Sequence, residues 1–211
     1  MIRTDKYDLI FWDFDGVIKE SVSVKTDAFV ELFKPYGSDV CKQVKNHHLA
    51  NGGMSRYDKI PLYLGWAGLE QNDAEVQNFC GKFSGIVKDK VIASAWVPGV
   101  EEFLQNNKEN HIFVLVSATP QSELEDICKS LKLTGVFCKI YGAPNNKTES
   151  IRTSMIDYKI PPSACIMIGD AQADIDAAQD NDIDFIFRRH HENLKLNINT
   201  NIQTIENFNE L

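Results

Sequence analysis

Five short stretches of the chain are almost uninterruptedly apolar: Asp8–Phe14, Ile112–Ser117, Val136–Tyr141, Cys165–Gly169 and Asp184–Phe187. They are rich in β-branched and aromatic residues and do not alternate apolar with polar. That pattern predicts strands buried on both faces, as in a parallel sheet. Between the later stretches apolar residues recur with the helical period, over Val100–Asn107, Pro120–Leu131, Lys147–Tyr158 and Ala171–Gln179. Thr119-Pro120 reads as an N-cap followed by a proline at the first helical position. Strand alternating with helix predicts an α/β fold, a Rossmann-like, doubly wound parallel sheet with short connections.

One region breaks this alternation. Residues 19–95 hold no convincing buried strand and read as helices over Ser23–Lys34, Asp39–Leu49, Ser55–Leu64 and Asp73–Ala93, with Asn51-Gly52-Gly53 as a loop. Trp96-Val97-Pro98-Gly99 then returns the chain to the α/β pattern. The expected organisation is a core formed by residues 1–18 and 96–211, with residues 19–95 inserted as an α-helical domain. An insert placed directly after the first strand would hang over the carboxyl ends of the sheet, where it could act as a lid.

Bulk properties narrow the function classes. The 211 residues are 43% hydrophobic and 25% charged, an ordinary globular composition. The net charge of −8 and the lack of a basic cluster argue against a nucleic-acid-binding face. An anionic substrate remains compatible, because local groups or a metal can supply positive charge. No apolar run approaches the ~20 residues of a membrane span, and the start of the chain lacks a secretory pattern. The five cysteines, Cys41, Cys80, Cys128, Cys138 and Cys165, are scattered and never spaced C-x-x-C. They read as reduced thiols of a cytoplasmic protein.

The chemistry concentrates at strand ends. In Leu9-Ile10-Phe11-Trp12-Asp13-Phe14-Asp15-Gly16 an apolar strand stops abruptly at two acids one residue apart. Open α/β sheets bind ligands at the carboxyl ends of their strands, so Asp13 and Asp15 should project together into a crevice. Trp12 and Phe14 read as strand packing on the opposite side from the acids. Val114-Leu115-Val116-Ser117-Ala118-Thr119 delivers a hydroxyl and backbone N–H groups to the start of a helix, a setting that suits phosphate oxygens or a plain cap. Lys147 opens a helix, against the dipole preference. Ile166-Met167-Ile168-Gly169-Asp170 again ends a strand in an acid, and Asp174 follows four residues on. Four carboxylates at neighbouring strand tips repel one another unless a cation joins them, and oxygen-only donors point to Mg²⁺.

These four stations, Asp13-Phe14-Asp15-Gly16-Val17, Ser117, Lys147 and Gly169-Asp170 with Asp174, resemble those of the haloacid dehalogenase superfamily of phosphotransferases. The helical insert resembles that superfamily's type C1 cap. The resemblance implies a strand order of 5-4-1-2-3 and a Mg²⁺-dependent phosphatase acting on a small phosphorylated metabolite through an aspartyl-phosphate. It implies Asp13 as nucleophile and Asp15 as general acid and base. Ser117, Ala118 and Lys147 would hold the phosphate; Asp13, the Asp15 backbone carbonyl and Asp170 would hold Mg²⁺. Asp174 would join the metal through water or position Lys147. A mutase of the β-phosphoglucomutase type uses the same stations, and a non-catalytic binding protein would keep the fold with a degenerate site. An acid at position 15 argues against the dehalogenase branch. It argues equally against phosphonate hydrolysis through a cap lysine, which Lys19 or Lys59 could otherwise imitate. Lys19-Glu20 departs from the Asp-Ser more usual at that place.

Other residues invite a role. His47-His48 suggests a metal pair, but neighbours on a helix point about 100° apart, so both read as ordinary helix residues. His190-His191 after Arg188-Arg189 reads as a basic loop. Asn51-Gly52-Gly53-Met54-Ser55-Arg56 resembles the specificity loop of C1 caps, which makes Arg56 a candidate substrate-binding residue, with Lys59 one turn on.

Overall fold

The computed structural model describes residues 4–211. Six parallel strands form one sheet: β1 (Leu9–Trp12), β2 (Ile112–Pro120), β3 (Lys139–Ala143), β4 (Cys165–Gly169), β5 (Asp184–Arg188) and β6 (Gln203–Ile205), in the order β3-β2-β1-β4-β5-β6. This is the expected doubly wound order with one strand added at the edge. β6 escaped the sequence pattern because it is three residues long and two of them are exposed.

The apolar stretches are strands for the reason anticipated: β1 and β4 are buried at every position. Boundaries differ in two places. The Val136–Tyr141 stretch contributes β3 only from Lys139, because Val136 and Phe137 pack into the core ahead of the strand. β2 runs on through Thr119 to Pro120, with an irregular register after Val116. Thr119 is therefore not a cap; Pro120 holds the N-cap position and makes no side-chain capping bond.

Between β1 and the core helix α5 (Val100–Asn107) lie four longer helices: α1 (Val22–Phe33), α2 (Ser38–Ala50), α3 (Arg56–Trp66) and α4 (Asp73–Ala93). Their aromatic residues interlock. Phe29 stacks on Phe83 with ring centroids 4.0 Å apart, and Tyr63 meets Phe29 and Phe33 edge-on. These rings share one hydrophobic cluster with Trp12 and Phe14 on one side of the sheet. A smaller cluster around Leu9, Phe11, Val114 and Met167 covers the other. Helices α6 (Gln121–Ser130), α7 (Lys147–Tyr158) and α8 (Gln172–Gln179) complete the alternation.

The register positions the chemistry. Trp12 pairs with Leu115 on one side and Ile168 on the other. The chain leaving β1 at Asp13 is thus flanked by the segments that carry Ser117 and Asp170. Gly16 then turns the chain with φ +76°, and a side chain there would collide with the Asp170 carboxylate. Residue 19 is folded back by an isolated bridge to Trp96, which joins the two ends of the helical insert.

Candidate active site

Asp13, the first residue beyond β1, is 4% exposed, and its Oδ1 lies 2.9 Å from Lys147 Nζ. Lys147, the first residue of α7, also donates to Asp174 Oδ1 at 2.5 Å. Asp174 Oδ2 accepts from the backbone N–H groups of Asp170 and Ala171, both at 3.1 Å. Both oxygens of Asp174 are therefore occupied, one in holding Lys147 and one in shaping the turn after β4. The Asp170 carboxylate meets His190 Nε2 at 2.8 Å, and the Asp170 carbonyl accepts from Asn193.

Oxygens of Asp13, Asp170 and Asp174 all lie within 4.8 Å of one another. Burial pushes the Asp13 carboxyl up to about 7; Lys147 opposes this, while Asp174 and Asp15 add to it. Burial likewise lifts Asp170 to about 6, against the hydrogen bond from His190. Burial would lower Lys147, but Asp13 and Asp174 outweigh it and hold the ammonium above its ordinary range. One lysine and one histidine face three buried acids, so the cluster has a deficit of positive charge. Three carboxylates with only oxygen donors fit a hard divalent cation.

The Asp15 side chain stands apart from this cluster; the ligand expected of Asp15 is its backbone carbonyl. Its Oδ1 accepts from Ser21 Oγ at 2.6 Å, and its Oδ2 forms a short ion pair with Lys25 and accepts from Thr119 Oγ1 at 3.3 Å. Lys25 Nζ also lies 2.7 Å from Thr119 Oγ1. Burial raises Asp15, but the Lys25 charge and the bonds from Lys25, Ser21 and Thr119 outweigh it and hold the carboxyl below its usual value. Ser117 is buried, and its Oγ accepts from the Thr119 backbone N–H at 3.2 Å. Asp13, Asp15, Ser117, Ala118 and Asp170 line a cavity of about 840 Å³, as do Lys25, Arg56 and Lys59 from the helical insert.

Arg56, which lines the cavity, is also held by a partner of the core. Its guanidinium is 4% exposed and engages Glu123 of α6 through both terminal nitrogens, at 2.8 and 2.5 Å. It also donates to Ser84 Oγ at 2.6 Å and lies 4.5 Å above the Phe83 ring. Its charge is paired with an acid of the core, so it clasps the insert to the sheet layer. The glycines of the neighbouring loop serve the same closure. A Cβ on Gly53, at φ +80°, would stand 2.9 Å from Ala173 Cβ, and one on Gly52 would stand 3.1 Å from Ala171 Cβ.

The remaining suggestive residues separate as well. His47 packs edge-on against Tyr63 and Trp66, whereas His48 Nδ1 faces Lys59 Nζ at 3.0 Å, so the two histidines share no ligand. Lys19 is buried, donates to the Ile92 carbonyl and lies over Trp96. Glu20 is held by Arg188, a buried arginine that also donates to the Gly16 carbonyl at 3.2 Å. His190 is no solvated loop residue: it is buried between Asp170 and Glu192. Among the described residues all five cysteines are free, and none touches the acid cluster by hydrogen bond. Among the described residues, no helix is long and apolar enough to cross a membrane.

Asp13 and Asp170 thus stand just beyond two neighbouring parallel strands of an α/β sheet, and Lys147 is held between Asp13 and Asp174. The family model for haloacid dehalogenase-like hydrolases matches residues 10–187, and the chain belongs to that family. A search of curated protein sequences finds no match. Solved structures share the fold. CbbY from Rhodobacter sphaeroides, in a mutant form bound to xylulose-(1,5)bisphosphate, is 15% identical with a TM-score of 0.77, over 97% of this chain and 96% of that one. β-Phosphoglucomutase from Clostridium difficile is 22% identical with a TM-score of 0.74, over 97% and 93%. A predicted phosphoglycolate phosphatase from Haemophilus somnus is 18% identical with a TM-score of 0.70, over 90% and 89%.

Proposed function

We propose that this chain is a Mg²⁺-dependent phosphatase that hydrolyses a small phosphomonoester through an aspartyl-phosphate. The observation that carries the reading is the buried Asp13 carboxylate, ion-paired to Lys147 and open to a cavity that Ser117 and Asp170 also line. Asp13 and Asp170, with the Asp15 backbone carbonyl, would hold Mg²⁺. When bound, the ion would neutralise charge on the phosphoryl group and orient it.

Asp13 Oδ attacks phosphorus and the ester P–O bond breaks, leaving the phosphoryl group on Asp13 and the electron pair on the departing alkoxide. Lys147 and Ser117 hold phosphoryl oxygens against the repulsion that the approaching carboxylate meets. Asp15 gives its proton to the alkoxide and takes one back from the water that cleaves the aspartyl-phosphate. In the arrangement described, Lys25, Ser21 and Thr119 keep Asp15 ionised, which suits the second half-reaction. Acting as the acid requires Asp15 to pick up a proton first, and loosening of Lys25 on α1 would permit that. Residues 19–95 would then act as a cap whose movement sets the charge state of Asp15.

The test is release of inorganic phosphate from p-nitrophenyl phosphate and from a panel of phosphorylated metabolites, with Mg²⁺ and with chelator. Mg²⁺-dependent release supports the phosphatase. Isomerisation of a sugar phosphate dependent on a bisphosphate primer, with little phosphate released, would make it a mutase. No turnover of any ester would leave a binding protein.

A further inference from the structure

Four cationic side chains of the helical insert line the cavity, and they differ in what they face. Lys25 is paired with Asp15, and Arg56 with Glu123. Lys45 is exposed. Lys59 is 2% exposed, and among the described residues its only hydrogen-bond partner is His48 Nδ1 at 3.0 Å and no carboxylate lies within ion-pair distance. Burial and the neighbouring Lys25 and Lys59 charges push His48 well below its ordinary value, so it stays neutral and accepts from Lys59. One donor of Lys59 is thereby fixed. The Lys59 ammonium sits beside the aromatic wall of the cavity, 6.0 Å from the Phe29 ring centre. A buried ammonium without an anion is costly unless a ligand supplies one.

We propose that Lys59, oriented by His48, receives a second anionic group of the substrate, a carboxylate or a phosphate at the end remote from the transferred phosphoryl group. This rests on the phosphatase reading and narrows its substrate class to esters with a charged tail. Burial, and next the Lys25 charge, lower the Lys59 ammonium to about 7, against Asp15 and Asp58. An arriving anion reverses that balance by favouring the protonated form. The cavity, about 840 Å³, has room for an ester with such a tail. The assignment also explains why Arg56, the more obvious cation of the same helix turn, is free to serve as a clasp.

The experiment compares matched phosphate esters HO–(CH₂)n–OPO₃²⁻, in which the terminal hydroxyl is left neutral, oxidised to a carboxylate or phosphorylated, over a series of chain lengths. At the best length the charged tail should raise kcat/KM about 10- to 100-fold over the neutral one, the range of a buried charge-assisted contact. In Lys59→Met that ratio should fall to about one, and Lys59→Arg should recover part of it. Because the ratio is read on one preparation, partial misfolding cancels. Calorimetric titration of Asp13→Asn and of Asp13→Asn/Lys59→Met with the same esters reads tail preference without turnover. Failure of every ester, neutral or charged, to turn over, with the tail preference still seen in binding, would thus overturn the phosphatase reading alone. A ratio near one in the unaltered chain at every length, or a preference that survives Lys59→Met, would overturn the assignment. Carboxylate and bisphosphate arms separate the two sources of the anion.

Discussion

Lys147 and Lys59 are both buried beside the reaction space, yet their surroundings push them in opposite directions. Asp13 and Asp174 hold Lys147 above its ordinary range despite burial, whereas burial with Lys25 nearby lowers Lys59 to about 7. Burial by itself does not decide whether a lysine is charged; the acids around it do. The core lysine is a cation fixed against Asp13, the proposed nucleophile. The lysine of the helical insert has a charge that a ligand can restore. On the proposed function, the molecule separates a constant part, which would handle the phosphoryl group, from a responsive part, which would read the rest of the substrate.

The comparison is broken most severely at the constant part. Asp13→Asn and Lys147→Met should each lower turnover by about 10³-fold or more, measured as phosphate release, since each removes a member of a unit that acts together. Asp15→Asn should slow turnover by about 10²–10⁴-fold while leaving Mg²⁺ binding measurable by calorimetry, because only the backbone carbonyl of Asp15 is assigned to the metal. Lys25→Met tests the coupling between the two parts. Without that ammonium the Asp15 carboxyl rises, so the alkaline limb of the kcat/KM profile, set by the half-reaction that needs Asp15 protonated, should move to higher pH; an unmoved limb would separate Lys25 from Asp15.

Stability sharpens the contrast. Arg56→Met leaves Glu123 buried without its partner and should cost about 3–5 kcal/mol, read as a loss of Tm by calorimetry. Burial raises Glu123, but Arg56 and Ser84 outweigh it and hold its carboxyl below the usual value. A depressed carboxyl stabilises above its unfolded pKa and loses that contribution as pH falls through the folded one. The Tm difference between Arg56→Met and the parent should therefore narrow toward pH 4. Lys59→Met should have the opposite sign and the smallest size. With the folded pKa near 7 and the unfolded value about 10.4, the unfolded chain binds the extra proton between those pH values, so the cost of burying Lys59 is full below pH 7 and fades above it. The substitution should raise Tm by a few degrees at pH 6 and by less at pH 9.

Much of the constant part was legible because it is local. Asp13 and Asp170 each follow an apolar strand and Ser117 closes the apolar run of β2, and once those strands are parallel neighbours the residues must meet. Lys147 stood out as a cation opening a helix, and the same misfit applies to Lys25 in the first turn of α1 and to Arg56 and Lys59 in the first turn of α3. Applied throughout, that signal would have found Lys25. It could not have told a clasp from a receptor. The Arg56–Glu123 pair was not legible, because Glu123 belongs to a different layer and nothing near Arg56 in the chain announces it. His190 looked like part of a solvated basic loop, since its burial depends on how the segment after β5 folds back over Asp170. Choices made across layers depend on packing, which periodicity does not encode.

The central claim is that Asp13 carries the phosphoryl group between the two half-reactions. Rapid acid quenching of the protein during turnover of p-nitrophenyl phosphate with Mg²⁺, followed by peptide mass analysis, tests it most directly. One phosphoryl group on the peptide containing Asp13, absent from Asp13→Asn, is the predicted result. Phosphate release with no phosphoryl on the protein, or a label on another residue, would contradict it.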